Sequence, residues 1–224
     1  MIVITVSTNY DDILDIIMPQ NAKFFEKWMI VTRPDDTATL DIIRKYNYPN
    51  VEVLFFDFTA GGNKFNKGGA IRYAQQQISK EYTGLVLILD SDIWLPDTFP
   101  QIMSSIKFHK FALYGAGERD DYYSYSHFIN NIVDYAFPRH RQFRGFFQLY
   151  LHNPKLLYNN SQDCSVCDML FIKLFGIRKK VITNLHVKHL GMNHTNWTAR
   201  MNKTDFVMDC PRQSLDLNTV DTLL

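Results

Sequence analysis

Few cysteines, no long apolar run and almost no excess of charge characterise this 224-residue chain. Its three cysteines, Cys164, Cys167 and Cys210, are too few and odd in number for a disulfide framework, which fits a reducing compartment. Cys164 and Cys167 form a lone C-x-x-C. A zinc site needs two more ligands at matching spacing and a redox site needs a thioredoxin-like setting, so both read as plain helix cysteines. With 24 Lys+Arg against 23 Asp+Glu the net charge is +1. Nothing global therefore attracts nucleic acid or an anionic membrane, and any basic group that matters acts locally. The opening "MIVITVSTN" has no basic leader and is too short for a signal peptide or a membrane span. The N-x-[ST] matches at Asn159, Asn193, Asn196 and Asn202 then count as chance. Internal repeats, low-complexity tracts and a Pro/Gly/Ser-rich linker are all missing, so one domain is expected, in a soluble, cytoplasmic protein.

What is present is a succession of short apolar runs: residues 1–6, 28–33, 51–57, 85–90 and 111–117. Between them lie amphipathic stretches. In "DDTATLDIIRKY" Leu40, Ile43 and Tyr46 share a face, and in "NKGGAIRYAQQQIS" Ala70, Ile71, Ala74 and Ile78 do. Strand, helix, strand in repetition predicts a mostly parallel sheet with right-handed crossovers. Residues 1–117 read as a doubly wound α/β half, and 118–197 as a second half of different texture. There "YSHFINNIVDYAF" reads as a helix and "RGFFQLYL" as a strand. "CSVCDMLFIKLFG" reads as a helix ended by Gly176, and "KKVITNLHVKHLG" as strand and loop. Residues 198–224 lose periodicity and read as a tail.

The run "LVLILDSDIWLP" (85–96) raises the functional question, because a strand apolar on both faces ends in two acids. Asp90 and Asp92 stand at i and i+2, so in extended backbone both carboxylates leave the same side, at the edge where open α/β sheets hold ligands. Such a pair suits Mg²⁺ or Mn²⁺ shared with a substrate's phosphates. "GGNKFNKGGAIRYA" (61–74) puts Lys64, Lys67 and Arg72 around a helix start, a setting for phosphate. It matches neither G-x-x-x-x-G-K-[ST] nor G-x-G-x-x-G. "HVKHLGMNHTNW" carries His186, His189 and His194, and His189 beside Gly191 is placed to complete a metal shell. Asp168, expected on the buried side of its helix, is either paired with a cation or kept for proton transfer.

Taken in order, these motifs over residues 1–197 resemble the GT-A class of nucleotide-sugar glycosyltransferases, and most of all the small glycosyltransferases encoded by large algal DNA viruses. The resemblance implies a single GT-A, Rossmann-like α/β domain with a smaller acceptor-side sheet. It implies a divalent cation on Asp90-Ser91-Asp92, with a UDP-sugar as the donor and a glycan hydroxyl as the acceptor. It assigns Thr5, Ser7, Asn9 and Asp57 to the uridine, Lys67 and Arg72 to the phosphates, and Asp90 and Ser91 to the donor. "HLGMNHTNW" is similar to the H-x-G-x-x-K-P-W element of one branch. That similarity makes His189 a metal ligand with Asp90 and Asp92, and puts His194 where a diphosphate-contacting Lys stands; Trp197 falls one position late. If the reaction inverts the anomeric centre, Asp168 is the base. A viral member would work in the host cytoplasm, with no membrane span.

Trp94, Phe146, Phe147 and Tyr150 are candidate platforms for the acceptor, with Arg144 and the "GERDD" loop as polar partners. Three rivals remain. A sugar nucleotidyltransferase of similar fold would carry a Gly-rich basic loop after the first strand, where this chain has the acidic "STNYDDILD". A binding module without turnover would have no need of the full ligand set. A D-x-D phosphatase would carry its acids on the first strand.

Overall fold

The computed structural model describes residues 1–63, 65–137, 143, 145–160, 164–191, 200 and 206. The first four apolar runs form β1 (Ile2–Val6), β2 (Lys27–Thr32), β3 (Val51–Phe55) and β4 (Leu85–Leu89). They are joined through helices α1 (Asp11–Asn21), α2 (Thr37–Tyr46) and α3 (Lys67–Gln77). Each crossover through a helix returns the chain in the same direction, so β1 pairs in parallel with β2 (Ile4 opposite Met29) and with β4 (Ile4 opposite Ile88). After β5 (Ile93–Trp94) and α4 (Phe99–Ser104) come β6 (Leu113–Tyr122), α5 (Tyr125–Ile129) and β7 (Tyr135–Ala136). Then follow β8 (Phe147–Leu151), α6 (Cys164–Lys173) and β9 (Lys179–Leu190).

Among the described residues these strands make a single nine-stranded sheet in the order β3-β2-β1-β4-β8-β6-β9-β5, with β7 on β6. The strands of the second half thus extend the main sheet instead of forming a smaller one of their own. Strand β8 is antiparallel to both β4 and β6, and β6 is parallel to β9. The carboxyl ends of β1, β4, β6 and β9 therefore share one edge.

Alternation along the buried strands supplies two cores. Val3, Trp28 and Leu87 meet α1 through Ile13, Leu14 and Ile17 on one face. Ile4, Met29 and Ile88 meet Ala70, Ile71 and Ala74 of α3 and Phe171 of α6 on the other. The expected helical faces hold: Leu40 and Ile43 are buried, as are Ala70, Ile71, Ala74 and Ile78.

Four expectations need correction. The strand expected to stop at 117 continues through Asp121 to Tyr122, so "GERDD" is ladder rather than loop. Its parallel register with β9 shifts between Ala116 and Glu118 and then pairs Glu118–Tyr122 with His186–Leu190, which satisfies those backbone groups. The helix expected over 125–137 ends at Ile129, because Asn131 takes a left-handed φ of 52° and Asp134 turns back to accept from the Tyr123 amide at 2.7 Å. The third is the ring set. Phe146, Phe147 and Tyr150 are core, and only Trp94 is half-buried, packed edge-on to Phe128. Finally, Asp168, expected on the buried side of its helix, is half-buried, and Met169 beside it is exposed.

Candidate functional site

Asp90 leaves the sheet where β4 ends, its amide still held by the Phe146 carbonyl at 3.1 Å. Lys67 reaches it from the first residue of α3: Nζ lies 2.8 Å from Asp90 Oδ1 and 3.7 Å from Asp168 Oδ2. The helix is set there by two devices. Asn66 caps it, its side chain accepting from the Gly69 amide at 2.8 Å. Gly68 allows close packing, since a Cβ there would stand 2.3 Å from the Asn159 carbonyl oxygen and 2.9 Å from the Cys167 Cβ. Burial opposes charge on Lys67, but Asp168 and Asp90 outweigh it and hold the ammonium well above the ordinary lysine range. Burial pushes Asp90 up to about 6, against the pull of Lys67 and with the push of Asp92 and Asp168.

Asp168 is fixed from a second side by Tyr158, whose hydroxyl donates to Oδ1 at 3.1 Å and also contacts Gln148. Tyr158 is fully buried and stacked on Phe171 at 4.3 Å between centroids. The sequence reading missed both Tyr158 and Gln148. A glutamine at full burial inside "RGFFQLYL" was the available signal, because a polar residue on a core strand needs a polar partner.

A second cluster adjoins the first. His189 Nε2 lies 3.3 Å from Asp92 Oδ2, and its Nδ1 lies 3.3 Å from Asp121 Oδ1. Asp121 is gripped in turn by Arg119, with Nε at 2.8 Å, and the guanidinium lies over Phe137 and beside Phe146, 3.7 and 4.8 Å from their ring centroids. Burial disfavours a charged imidazole, yet the charge of Asp92 and the hydrogen bonds to Asp121 and Asp92 raise His189 to about 9. Asp121 is held below the usual carboxylate range in spite of its burial, chiefly by its hydrogen bond to His189. Arg119 and Asp121 stand at i and i+2 on one face of β6, a pattern hidden by reading those residues as a loop.

The loop after β1 completes the edge. Ser7 and Thr8 are fully buried, and neither hydroxyl has a hydrogen-bond partner among the described residues. Asn9 adopts a φ of 61°, and its amide donates to Asp36 at 2.7 Å. Arg200 closes this loop from far along the chain. It donates to the Asn9 carbonyl at 3.2 Å and to both oxygens of Asp12, and it lies over Tyr10 at 5.0 Å. Thr8, Tyr10, Asp12 and Arg200 were not singled out from the sequence.

The structure thus joins Asp90, Lys67 and Asp168, and separately Asp92 and His189, at one sheet edge with Ser7 and Asn9 nearby in the fold. Ser91, between the two acids, is buried. Three expected residues stand elsewhere. The Thr5 hydroxyl accepts from the Trp28 indole at 2.8 Å inside the core. Asp57 is exposed and accepts from the amide and hydroxyl of Thr59 in its own turn, which lowers its pKa. Arg72, five residues past Lys67 and hence on another face of α3, donates to the Tyr158 carbonyl and lines an open depression of about 470 Å³ with Phe171 and Lys173. His194, Lys64, Arg144 and Trp197 lie outside the described residues. Asp90 is turned to Lys67, and among the described residues no three His, Cys, Asp or Glu side chains are arranged to hold a metal ion. No helix among them is long and apolar enough to cross a membrane.

No protein-family model matches the chain, and no curated protein matches it. Among solved structures it is similar to 4-diphosphocytidyl-2C-methyl-D-erythritol synthase from Anaerococcus prevotii DSM 20548, with 13% identity, 89% of this chain and 93% of that one covered, and a TM-score of 0.52. A second similar structure is described as a glucose-1-phosphate thymidylyltransferase from Bacillus anthracis (8% identity, 89% and 94% covered, TM-score 0.51). Glucosyl-3-phosphoglycerate synthase from Mycobacterium tuberculosis overlaps less, with 13% identity, 85% and 72% covered, and a TM-score of 0.47. At such identities the first two likenesses are likenesses of fold, and that fold is the mixed α/β, Rossmann-like one expected. None of them links the chain to algal viruses.

Proposed function

We propose that the chain is a metal-dependent glycosyltransferase that moves a sugar from a nucleoside-diphosphate sugar, a UDP-sugar being the donor to test first, to a hydroxyl of a glycan acceptor. The observation that carries this reading is Lys67. A buried ammonium stands between the carboxylate that ends β4 and the carboxylate of α6, 2.8 Å from one and 3.7 Å from the other. A cation fixed between a leaving-group position and a base position is what transfer away from a diphosphate requires.

By type the donor set suits a divalent ion, and Asp90 would have to turn from Lys67 to join it. Asp92 and His189 already adjoin, Asp121 steadies the far nitrogen of the imidazole, and Asp90 stands one residue from Ser91. Mg²⁺ or Mn²⁺ held by Asp90, Asp92 and His189, with oxygens of the diphosphate, would supply electrostatic stabilisation of the negative charge on the departing oxygen. The buried hydroxyls of Ser7 and Thr8, which have no partner among the described residues, favour a polar group such as a nucleoside over the β1 loop.

In the step itself the acceptor oxygen forms a bond to the anomeric carbon while the bond from that carbon to the diphosphate oxygen breaks. Asp168 takes the acceptor's proton, and Lys67 neutralises charge on the leaving diphosphate. Attack from the face opposite the leaving group inverts the centre. Tyr158 and Lys67 keep the Asp168 carboxylate aimed before substrate arrives.

The fold likeness to two nucleotidyltransferases favours a second reading, formation of a sugar nucleotide from a nucleoside triphosphate. Arg200 brings a guanidinium to the loop after β1, where that chemistry wants cations, but Asp12 cancels its charge. One experiment separates the two readings. Calorimetry and turnover are measured with UDP-sugars and GDP-sugars, and with nucleoside triphosphates plus sugar phosphates, in Mn²⁺ or Mg²⁺, on wild type and Asp92→Ala. Metal-dependent binding and turnover of a nucleotide sugar, lost in the variant, is the expected result. Pyrophosphate release from a triphosphate would establish the second reading, and absence of all nucleotide binding would sink both.

A further inference from the structure

The edge of the sheet opposite the candidate site combines two features that a water-facing surface avoids. The first is exposed apolar side chains at the tips of turns. Ile177 is 97% exposed, Leu174 is 52% and Phe111 is 50%. The two turns adjoin, since the Leu113 amide donates to the Arg178 carbonyl at 3.0 Å where β6 and β9 begin side by side. Phe111 is held outward at a φ of 63°, a conformation that is costly for an aromatic residue.

The second feature is charge of one sign. Lys107, Lys110, Lys173, Arg178, Lys179 and Lys180 surround these tips, all exposed. None of the six makes an ion pair or side-chain hydrogen bond among the described residues. No aspartate or glutamate occurs from Thr98 to Gly117, or from Met169 to Gly191. In a chain of net charge +1 this is a strong local concentration. Of the carboxylates elsewhere on this edge, Glu26 and Glu52 are paired with the amino terminus and Lys27, towards the β3 side, and Glu81, before β4, accepts from the Ser79 hydroxyl.

We propose that this edge is a membrane-docking surface. Phe111, Leu174 and Ile177 enter the headgroup region of an anionic bilayer, and the six cations bind its acidic headgroups. The pairing of basic side chains with protruding aliphatic ones selects a bilayer over a nucleic acid, which offers charge without an apolar layer. The inference does not depend on the reaction proposed above. It leaves the candidate site facing solvent on the far side.

The test is sedimentation of the whole chain with phosphatidylcholine vesicles, with and without phosphatidylserine, at low and raised salt. Wild type should partition onto the acidic vesicles only, and less at raised salt. Reversal of Arg178, Lys179 and Lys180 to Glu together should weaken partition by roughly a hundred-fold or more. Ile177→Asp should weaken it and Ile177→Trp should strengthen it. Because Ile177 touches solvent on all sides, neither change threatens the fold, and a gain in the Trp variant cannot come from misfolding. No partition onto acidic vesicles, equal partition onto both kinds, or indifference to all three changes would overturn the proposal. So would binding to duplex DNA in place of vesicles. Donor binding should be the same in all three variants and wild type, so a failure here and a failure of the transferase reading are told apart.

Discussion

A Cβ on Gly145 would stand 1.9 Å from Oδ2 of Asp168. Glycine at that position is therefore what permits the carboxylate to lie beside Lys67. Gly145→Ala should push Asp168 off its aim without touching the donor side. UDP-sugar affinity should stay within about two-fold, and turnover should fall by about 10²–10⁴, the range for loss of a general base. Asp168→Asn should behave alike. Wild-type turnover in Asp168→Asn would remove Asp168 from the reaction.

Lys67→Met leaves Asp90 and Asp168 facing each other with no cation between them. Lost charge-assisted contacts of this kind cost about 1.5–3 kcal/mol, towards the lower end where solvent reaches Asp90. The urea midpoint should drop accordingly, and binding of UDP in Mn²⁺ should weaken by at least about ten-fold. Unchanged UDP affinity would show that Lys67 serves the fold alone.

Thr5 and Ser7 should separate cleanly. Thr5→Val strands the buried indole of Trp28 and should cost about 1–3 kcal/mol with UDP affinity unchanged. Ser7→Ala removes a buried hydroxyl that has no partner among the described residues, so the free protein should be as stable as wild type or slightly more so, while UDP binds less tightly. Calorimetry and thermal melts on the two variants read both quantities. A destabilised Ser7→Ala with normal UDP affinity would contradict this assignment.

His189 gives a pH dependence in metal-chelated buffer. Its pKa is raised from 6.5 to about 9 in the fold, so the folded state holds a proton that the unfolded chain releases. That contribution is complete below pH 6.5 and is lost as pH rises through about 9, on the order of 3 kcal/mol across the window. The melting temperature of wild type should fall over this range, and that of His189→Gln should fall less. A flat wild-type profile would mean that His189 is neutral between Asp92 and Asp121.

Asp12 ties the chain's far end to the β1 loop, accepting from Arg200 and, at 2.9 Å, from the Phe206 amide. Asp12→Ala leaves a buried guanidinium uncompensated and should destabilise the protein by about 3–5 kcal/mol. Arg200→Met should cost less, because it leaves the smaller charge defect at a carboxylate still bonded to Phe206. Equilibrium unfolding in urea measures both, and equal costs would indicate that packing of the segment, and not its charge, carries the effect.

Much of the site was legible where a residue's meaning is local. Asp90 and Asp92 were found because an apolar strand that ends in acids contradicts its own pattern, and Lys67 because it opens a helix. Asp121, Tyr158 and Arg200 were not, because each acts on a residue from another segment: Asp121 on His189 across a parallel register, Tyr158 on Asp168 over a loop, and Arg200 on Asp12 from 188 positions away. Thr5 was misassigned for a related reason. Its place at the end of a strand suits a ligand, but only its neighbour Trp28, on β2, decides where the hydroxyl goes.

By itself the sequence determined the order of strands and helices, the faces of α2 and α3, and the edge of the sheet at which chemistry is to be sought. Those follow from periods of two and 3.6 residues, which each segment carries internally. Tertiary structure alone decided the partners. Lys67 could have turned to solvent, Arg72 to a phosphate and Asp121 into a loop. Burial settled each case, since a charged or hydrogen-bonding group removed from water must find its complement within reach, and what lies within reach is a property of the folded chain.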